Sequence, residues 1–305
     1  MKKRFLALMM AALMILAITA CGSNPDGKKL LEDAANNKEP ITYSSMEMNM
    51  AMEEPESGIA MEYYLKVEGD TEVAYTDLSI SVMGIAMKGD FYIDAASGAA
   101  DTYFKGIDGK WYKVAGDEVA VGDVSSMSSS INAESLAMLT GMCSEINTVG
   151  KENFNGTSAY KVQMVLDLTK AFELYESYVS LEDLGISEED LNASEEAIKE
   201  FSNIIELYTY IDAGTPKYLG MYATLNKDAI KKLAAQSTTD AEALNTINTM
   251  LETMEFDMTA TAEYGSKTLS LPAEAASATL LTDPEEIAAK MPLLSALQGM
   301  LEMAE

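Results

Sequence analysis

The sulfurs are the residues whose spacing most invites chemistry. Met46, Met48, Met50 and Met52 recur at every second position. On a strand that spacing sets all four thioethers on one face. Three uses compete. A plain strand packs them into a core. The wall of a lipid cavity uses them because Met is unbranched and polarizable and adapts to irregular acyl chains. A soft thioether site takes Cu(I), but no His or Cys stands nearby to complete one. The hard-oxygen candidates are Glu53, Glu54 and Glu56, and then Glu188, Glu189 and Asp190. Calcium is held by such oxygens, yet the spacing of a calcium loop is missing. The first group reads as a solvated turn and the second as the acidic first turn of a helix. Cys143 lies in the apolar run Leu139-Thr140-Gly141-Met142-Cys143, with Lys151 the nearest basic residue, so it reads as a small buried hydrophobe rather than an activated thiol.

The chain has no His. That removes His-dependent nucleophile systems and the commonest zinc ligand, and leaves carboxylates and Lys as the remaining catalytic options. No phosphate loop or nucleophile elbow occurs. Trp111, the single Trp, follows a turn and is expected to pack against neighbouring strands, with sugar stacking as the other use. No cofactor and no resident metal are expected.

Cys21 is a different matter. It follows Lys2-Lys3-Arg4, an apolar run from Phe5 to Ala20, and the small-residue ending Ile18-Thr19-Ala20. A basic start, a short apolar centre and small residues before a cut make an export signal, and the run is short for a membrane span. Ending on Cys, it resembles the lipobox of bacterial lipoproteins. The resemblance implies that the Cys21 sulfur receives a diacylglycerol, that residues 1–20 are removed, and that the mature chain is lipid-anchored outside the cytoplasmic membrane.

Removing 1–20 from the 305 residues leaves 285, and loses three basic residues, so the net charge moves from −28 to −31. Such a chain repels phosphate backbones and anionic headgroups, which excludes nucleic acid as a partner. The expected partners are the membrane, through the lipid, and a hydrophobic small molecule or lipid; no protein partner can be named. The hydrophobic content of 48% separates the chain from disordered acidic tails.

Residues 21–27 read as the lipidated Cys and a short tether, and 28–305 as a single domain. Lys28 to Asn37 suits a helix stopped by Pro40. Met46 to Met52, and Ile59, Met61, Tyr63, Leu65 and Val67 with polar residues between, alternate as half-buried strands. Thr71 to Val82 shifts phase at Asp77-Leu78, which predicts a bulge. Gly89-Asp90 then leads into Phe91 to Ile93. Thr102 to Val114 is a hairpin around Asp108-Gly109, and Ile146 to Leu168 another around Asn155-Gly156. Residues 115–130 read as a loop. Helices are expected at 133–140, 169–179, 194–205, 228–235 and 241–251, and strands at 207–211, 217–225 and 254–264. Asp283-Pro284-Glu285-Glu286 opens a last helix, which Pro292 breaks.

This order of elements carries a resemblance. Tyr103 to Lys113, Val149 to Tyr160 and Leu207 to Asp212 follow a lipobox and long alternating strands, and together look like Gram-positive lipoproteins of the LolA/LppX type. The resemblance implies an α+β fold: a curved, unclosed antiparallel sheet, or half-barrel, with helices over its concave face. It also implies a hydrophobic ligand between sheet and helices, lined by Met46, Met48, Met50, Met52, Ile59, Met61, Tyr63 and Leu65. The family brings no catalytic residues, so no enzyme activity is expected. A structural or protein-interaction module with a self-filled core is the rival, distinguished by whether the space under the helices is open.

Overall fold

The structure is a computed structural model that describes residues 24–54, 58–96, 100–115, 133–167, 170, 202–291 and 293. Twelve strands form one sheet: β1 (Tyr43–Glu54), β2 (Ile59–Gly69), β3 (Val73–Val82), β4 (Ile85–Asp94), β5 (Asp101–Lys105), β6 (Trp111–Val114), β7 (Cys143–Phe154), β8 (Thr157–Leu166), β9 (Ile205–Asp212), β10 (Tyr218–Leu225), β11 (Glu255–Glu263) and β12 (Thr279–Leu281). Their order is β12-β6-β5-β4-β3-β2-β1-β11-β10-β9-β8-β7. The edges β12 and β7 are not bonded to each other, so the half-barrel is open. Every pairing is antiparallel except β12 with β6.

The register sorts side chains into two faces. Val162, Thr209, Met221, Ala260, Met46, Val67, Thr76, Phe91 and Phe104 are successive cross-strand partners from β8 to β5. The next row runs Met164, Leu207, Ala223, Met258, Met48, Leu65, Leu78, Gly89. Both rows belong to one apolar face. Glu47, Lys66, Asp77 and Asp90 form a row of the other, polar face.

Helices cover the two ends of the apolar face. Helix α1 (Gly27–Ala35) is capped by Asp26, which accepts from the Lys28 and Lys29 amides. It buries Leu30, Leu31 and Ala34 against Val162, Met164, Leu207 and Ile211, with Leu136 of α2 (Ala133–Gly141) beside them. Each large aliphatic buried this way is worth about 1.5–3 kcal/mol. Gly27 permits the approach, since a Cβ there would stand 3.1 Å from Val162 Cγ1. Helices α3 (Lys227–Ser237) and α4 (Ala241–Thr253) join β10 to β11. Thr253 Oγ1 donates to the Glu53 carbonyl and ties α4 to the end of β1. Helix α5 (Pro284–Lys290) opens on Asp283, which caps the Glu285 amide, with Pro284 in the first turn. It lays Ile287 against Phe91, Phe104 and Tyr112 at the other end of the sheet.

Several expectations need correction. No bulge occurs at Asp77-Leu78, because pairing with β2 and β4 is unbroken from Ala74 to Val82. The apparent phase shift arises because Tyr75 lies on the polar face against Tyr92, while Thr76 takes an apolar-face position. Gly89 and Asp90, expected only to lead into Phe91 to Ile93, sit inside β4, which begins at Ile85 after the chain reverses at Met83-Gly84. The Asp108-Gly109 hairpin has a five-residue loop, since Lys105 pairs with Trp111. Ile205 opens β9 rather than closing a helix. Asn24 to Gly27 pack on the fold. Asn24 Nδ2 donates to the Thr148 and Val149 carbonyls, Thr148 Oγ1 donates to the Pro25 carbonyl, and Gly27 is helical. Cys21, Glu56, the loop expected at 116–130, the helices expected within 171–201 and the Glu188 cluster lie outside the described residues, as do Pro292 and residues 294–305.

Candidate functional site

Between the two covered ends the apolar face forms a trough on β1 and β2. All eight residues expected to line a ligand are here, on one face in matched register: Met46 beside Val67, Met48 beside Leu65, Met50 beside Tyr63, and Met52 beside Met61, with Ile59 beyond. The structure divides them. Met46 and Leu65 pack against the cluster under α5, and Tyr63 and Leu65 against Leu78, Ile80 and Leu293. Met48 and Met52 are half-buried. Met50, Ile59 and Met61 are 41%, 39% and 38% exposed. The trough therefore deepens toward Val67, which is buried, and opens toward the β1–β2 turn.

The walls come from residues the sequence did not point to. On one side Met258 and Phe256 of β11 are register partners of Met48 and Met50 and pack on the α1 cluster. On the other, Leu293 is buried over Gly89, where a Cβ would lie 2.9 Å from Leu293 Cδ2. A glycine inside a strand is the signal for such a close approach, and Gly89 carried it. At the deep end Thr76 Oγ1 is buried with no hydrogen-bond partner among the described residues. It stands beside Val67 and Phe91.

Helix α5 is held down by a polar clamp. Asp108 accepts from Tyr112 Oη at 2.7 Å and from Lys290 Nζ at 2.9 Å, and the Ile107 amide donates to the Lys290 carbonyl. The hydrogen bonds from Tyr112 and then Lys290 hold the Asp108 carboxyl well below the usual carboxylate range. These charge-assisted bonds fix the helix end that carries Met291 and leads to Leu293.

The other candidate chemistries fare as follows. The Met stripe faces hydrocarbon: Met48 lies between Leu65 and Met258. Among the described residues no three His, Cys, Asp or Glu side chains gather as a metal site. Cys143 is buried, its Sγ donates to the Leu139 carbonyl at 3.2 Å, and burial pushes its pKa up to about 11. Trp111 sits 6.1 Å from Tyr92 on the polar face. Among the described residues, two grooves open on that face. One, of about 340 Å³, gathers Glu62, Glu255 and Asp257 around Asn49 and Tyr64. The other, of about 470 Å³, lies by Phe154, Asp212, Lys217 and Tyr264. Neither has an apolar wall comparable to the trough.

No protein-family model matches the chain, and no curated protein of similar sequence is detected. Solved structures do match. The chain is similar to LprF from Mycobacterium bovis, with 10% identity, a TM-score of 0.42, and coverage of 83% of this chain and 98% of that one. It is similar to the lipoprotein LppX from Mycobacterium tuberculosis, with 10% identity, a TM-score of 0.39, and coverage of 81% and 99%. A LolA superfamily protein from Nitrosomonas europaea matches at 8% identity and a TM-score of 0.20, with coverage of 82% and 96%. These are proteins of the type that the turn and strand sequences resemble; the fold itself rests on the strand order and register described above.

Proposed function

We propose that this protein is a membrane-anchored extracytoplasmic lipoprotein that holds a hydrophobic ligand, a lipid or lipid-linked envelope molecule, in the trough over β1 and β2. The observation that carries the reading is the exposure of Met50, Ile59 and Met61 on a sheet face whose two sides are buried beneath helices. Leaving apolar surface in water is unfavourable by about 25 cal/mol per Å², and an acyl chain laid in the trough removes it. The half-buried thioethers suit an occupant of irregular shape. The protein binds and does no chemistry on its ligand. Residues 1–20 are the export signal, Cys21 carries the lipid, and 28–305 form one domain onto which Asn24 to Gly27 already pack.

Native mass spectrometry of the mature domain, prepared without its own lipid anchor from its own host, tests the ligand. Co-purified mass of lipid size, displaced by a fluorescent acyl probe, is the expected result. A bare chain that takes up no probe overturns the carrier reading in favour of an interaction module filled by its own side chains. The anchor is tested separately: Cys21→Ala moves the protein to the soluble fraction, and firm retention through a high-salt wash overturns that part.

A further inference from the structure

Two hairpins in this sheet turn on the same backbone geometry. Asn155 and Gly156 join β7 to β8 with φ of 49° and 87°. Met83 and Gly84 join β3 to β4 with φ of 52° and 79°. A two-residue turn with both residues left-handed favours Asn-Gly, because Asn tolerates the left-handed region and a longer side chain is disfavoured there. The first hairpin obeys. The second places a Met where the backbone wants Asn. Packing does not repay the strain, since Met83 is 66% exposed and Ile85 after it 72% exposed. Strain kept at an exposed position points to a function outside the fold.

The location says which. Met52, Met61, Val82 and Ile85 are successive register partners, the outermost row of the apolar face. Met83 and Ile85 therefore extend the lip of the trough, next to the half-exposed Ile59 and Met61. The patch is continuous with the ligand site at its open end.

We propose that this lip inserts into the lipid bilayer and docks the open end of the trough on the membrane, so that an acyl chain passes between them without crossing water. The inference rests on the carrier reading and on the anchor at Cys21. Asn24 is fixed to β7, so only Gly22 and Ser23, three residue spacings or about 10 Å of extended chain, separate the fold from its anchor. The fold cannot leave the membrane surface, and the lip meets the bilayer at high effective concentration. Charge argues for a bilayer over a second copy. The chain carries −28, so self-association brings like charges together, whereas a zwitterionic lipid surface takes apolar side chains with little such repulsion.

Met83→Asn is a safe probe, because it restores the favoured turn residue. The full mature protein with Cys21→Ser is mixed with excess phosphatidylcholine vesicles and floated. The unmodified lip should co-float, and Met83→Asn with Ile85→Asn should lower the bound fraction by about tenfold, while Met83→Asn alone unfolds no earlier than wild type. In the lipidated protein, a fluorophore on Ile85→Cys should be quenched by brominated lipids, and one on Glu72→Cys, in the β2–β3 turn at the opposite end of the sheet, should not. Flotation that the paired substitution does not change overturns the proposal. So does an unquenched label at position 85, or a dimer in solution that the paired substitution dissociates. Uptake of a fluorescent acyl probe from solution reads the trough separately from docking: wild type should take it up, and Met48→Trp should take up less while still floating with vesicles. Normal uptake with no docking sinks only the lip, and docking with no uptake sinks the carrier reading.

Discussion

Leu293 is seated over Gly89, in the same register row as Met48, and fills the place a side chain at position 89 would take. One wall of the trough is thus made by the C-terminal segment, and its seat is the missing Cβ of a strand residue. Leu293 is 3% exposed, so Leu293→Ala should cost about 2–5 kcal/mol in chemical denaturation. Gly89→Ala should cost less than about 1 kcal/mol, because the contacting Cδ2 is the mobile end of its side chain. Gly89→Phe should expel Leu293 and enlarge or block the trough, read as a changed acyl-probe affinity.

The floor should tolerate bulk where the covered ends do not. Met48 is half-buried between the two covered ends. Met48→Trp is expected to cost about 1 kcal/mol or less, against about 1–3 kcal/mol for overpacking a closed core, and to reduce acyl-probe uptake. Met164 is 1% exposed under α1, so Met164→Ala should cost about 2–5 kcal/mol without touching uptake. Thermal unfolding and probe binding on the same preparations check both halves. A strongly destabilised Met48→Trp in a wild type that binds no probe would mean the trough is core.

The clamp on α5 should open in acid. The folded pKa of Asp108 is depressed by its hydrogen bonds from Tyr112 and Lys290. Its contribution is therefore fully present above the unfolded value of about 4 and is lost as pH falls below it toward the folded value. Hydrogen exchange of the α5 amides should accelerate as pH drops below about 4, after correction for intrinsic rates. Asp108→Asn should show fast α5 exchange already at pH 7. Equal protection in the two proteins at neutral pH would mean that Ile287 alone holds the helix.

Cys143 should be inert in the folded state. Burial raises its pKa to about 11, so the protonated thiol is favoured by folding. The stabilisation is present below the unfolded value of about 8.5 and lost as pH rises from there through about 11. A thiol reagent at pH 8 should react with the native protein far more slowly than with the urea-unfolded chain. Labelling at the unfolded rate would show Cys143 to be reachable.

Strand periodicity was legible because it is local. Alternation at 46–52 and 59–67 located β1 and β2 and put all eight lining candidates on one face, and Asp283 announced the last helix through its cap. The failures share a cause. Tyr75 and Thr76 were misread because an aromatic can pair on a polar face and a hydroxyl can lie in an apolar one, which only neighbouring strands decide. The Met83-Gly84 turn was hidden because Met is not a turn residue. The parallel strand β12 and the clamp from Lys290 to Asp108 join segments 160 or more residues apart, a distance no local pattern spans.

The amino-acid sequence by itself determined the acidic charge, the absence of His and the two-faced strands, because each depends on residue type or on spacing within a few positions. Which of those apolar faces stays open was decided only by the tertiary structure. Met46 and Met50 are the same residue type on the same strand face, yet one packs against the α5 cluster and the other is exposed. The difference lies in where α1, α5 and Leu293 come to rest across the sheet, and burial is a property of those distant contacts rather than of the strand that carries the side chain.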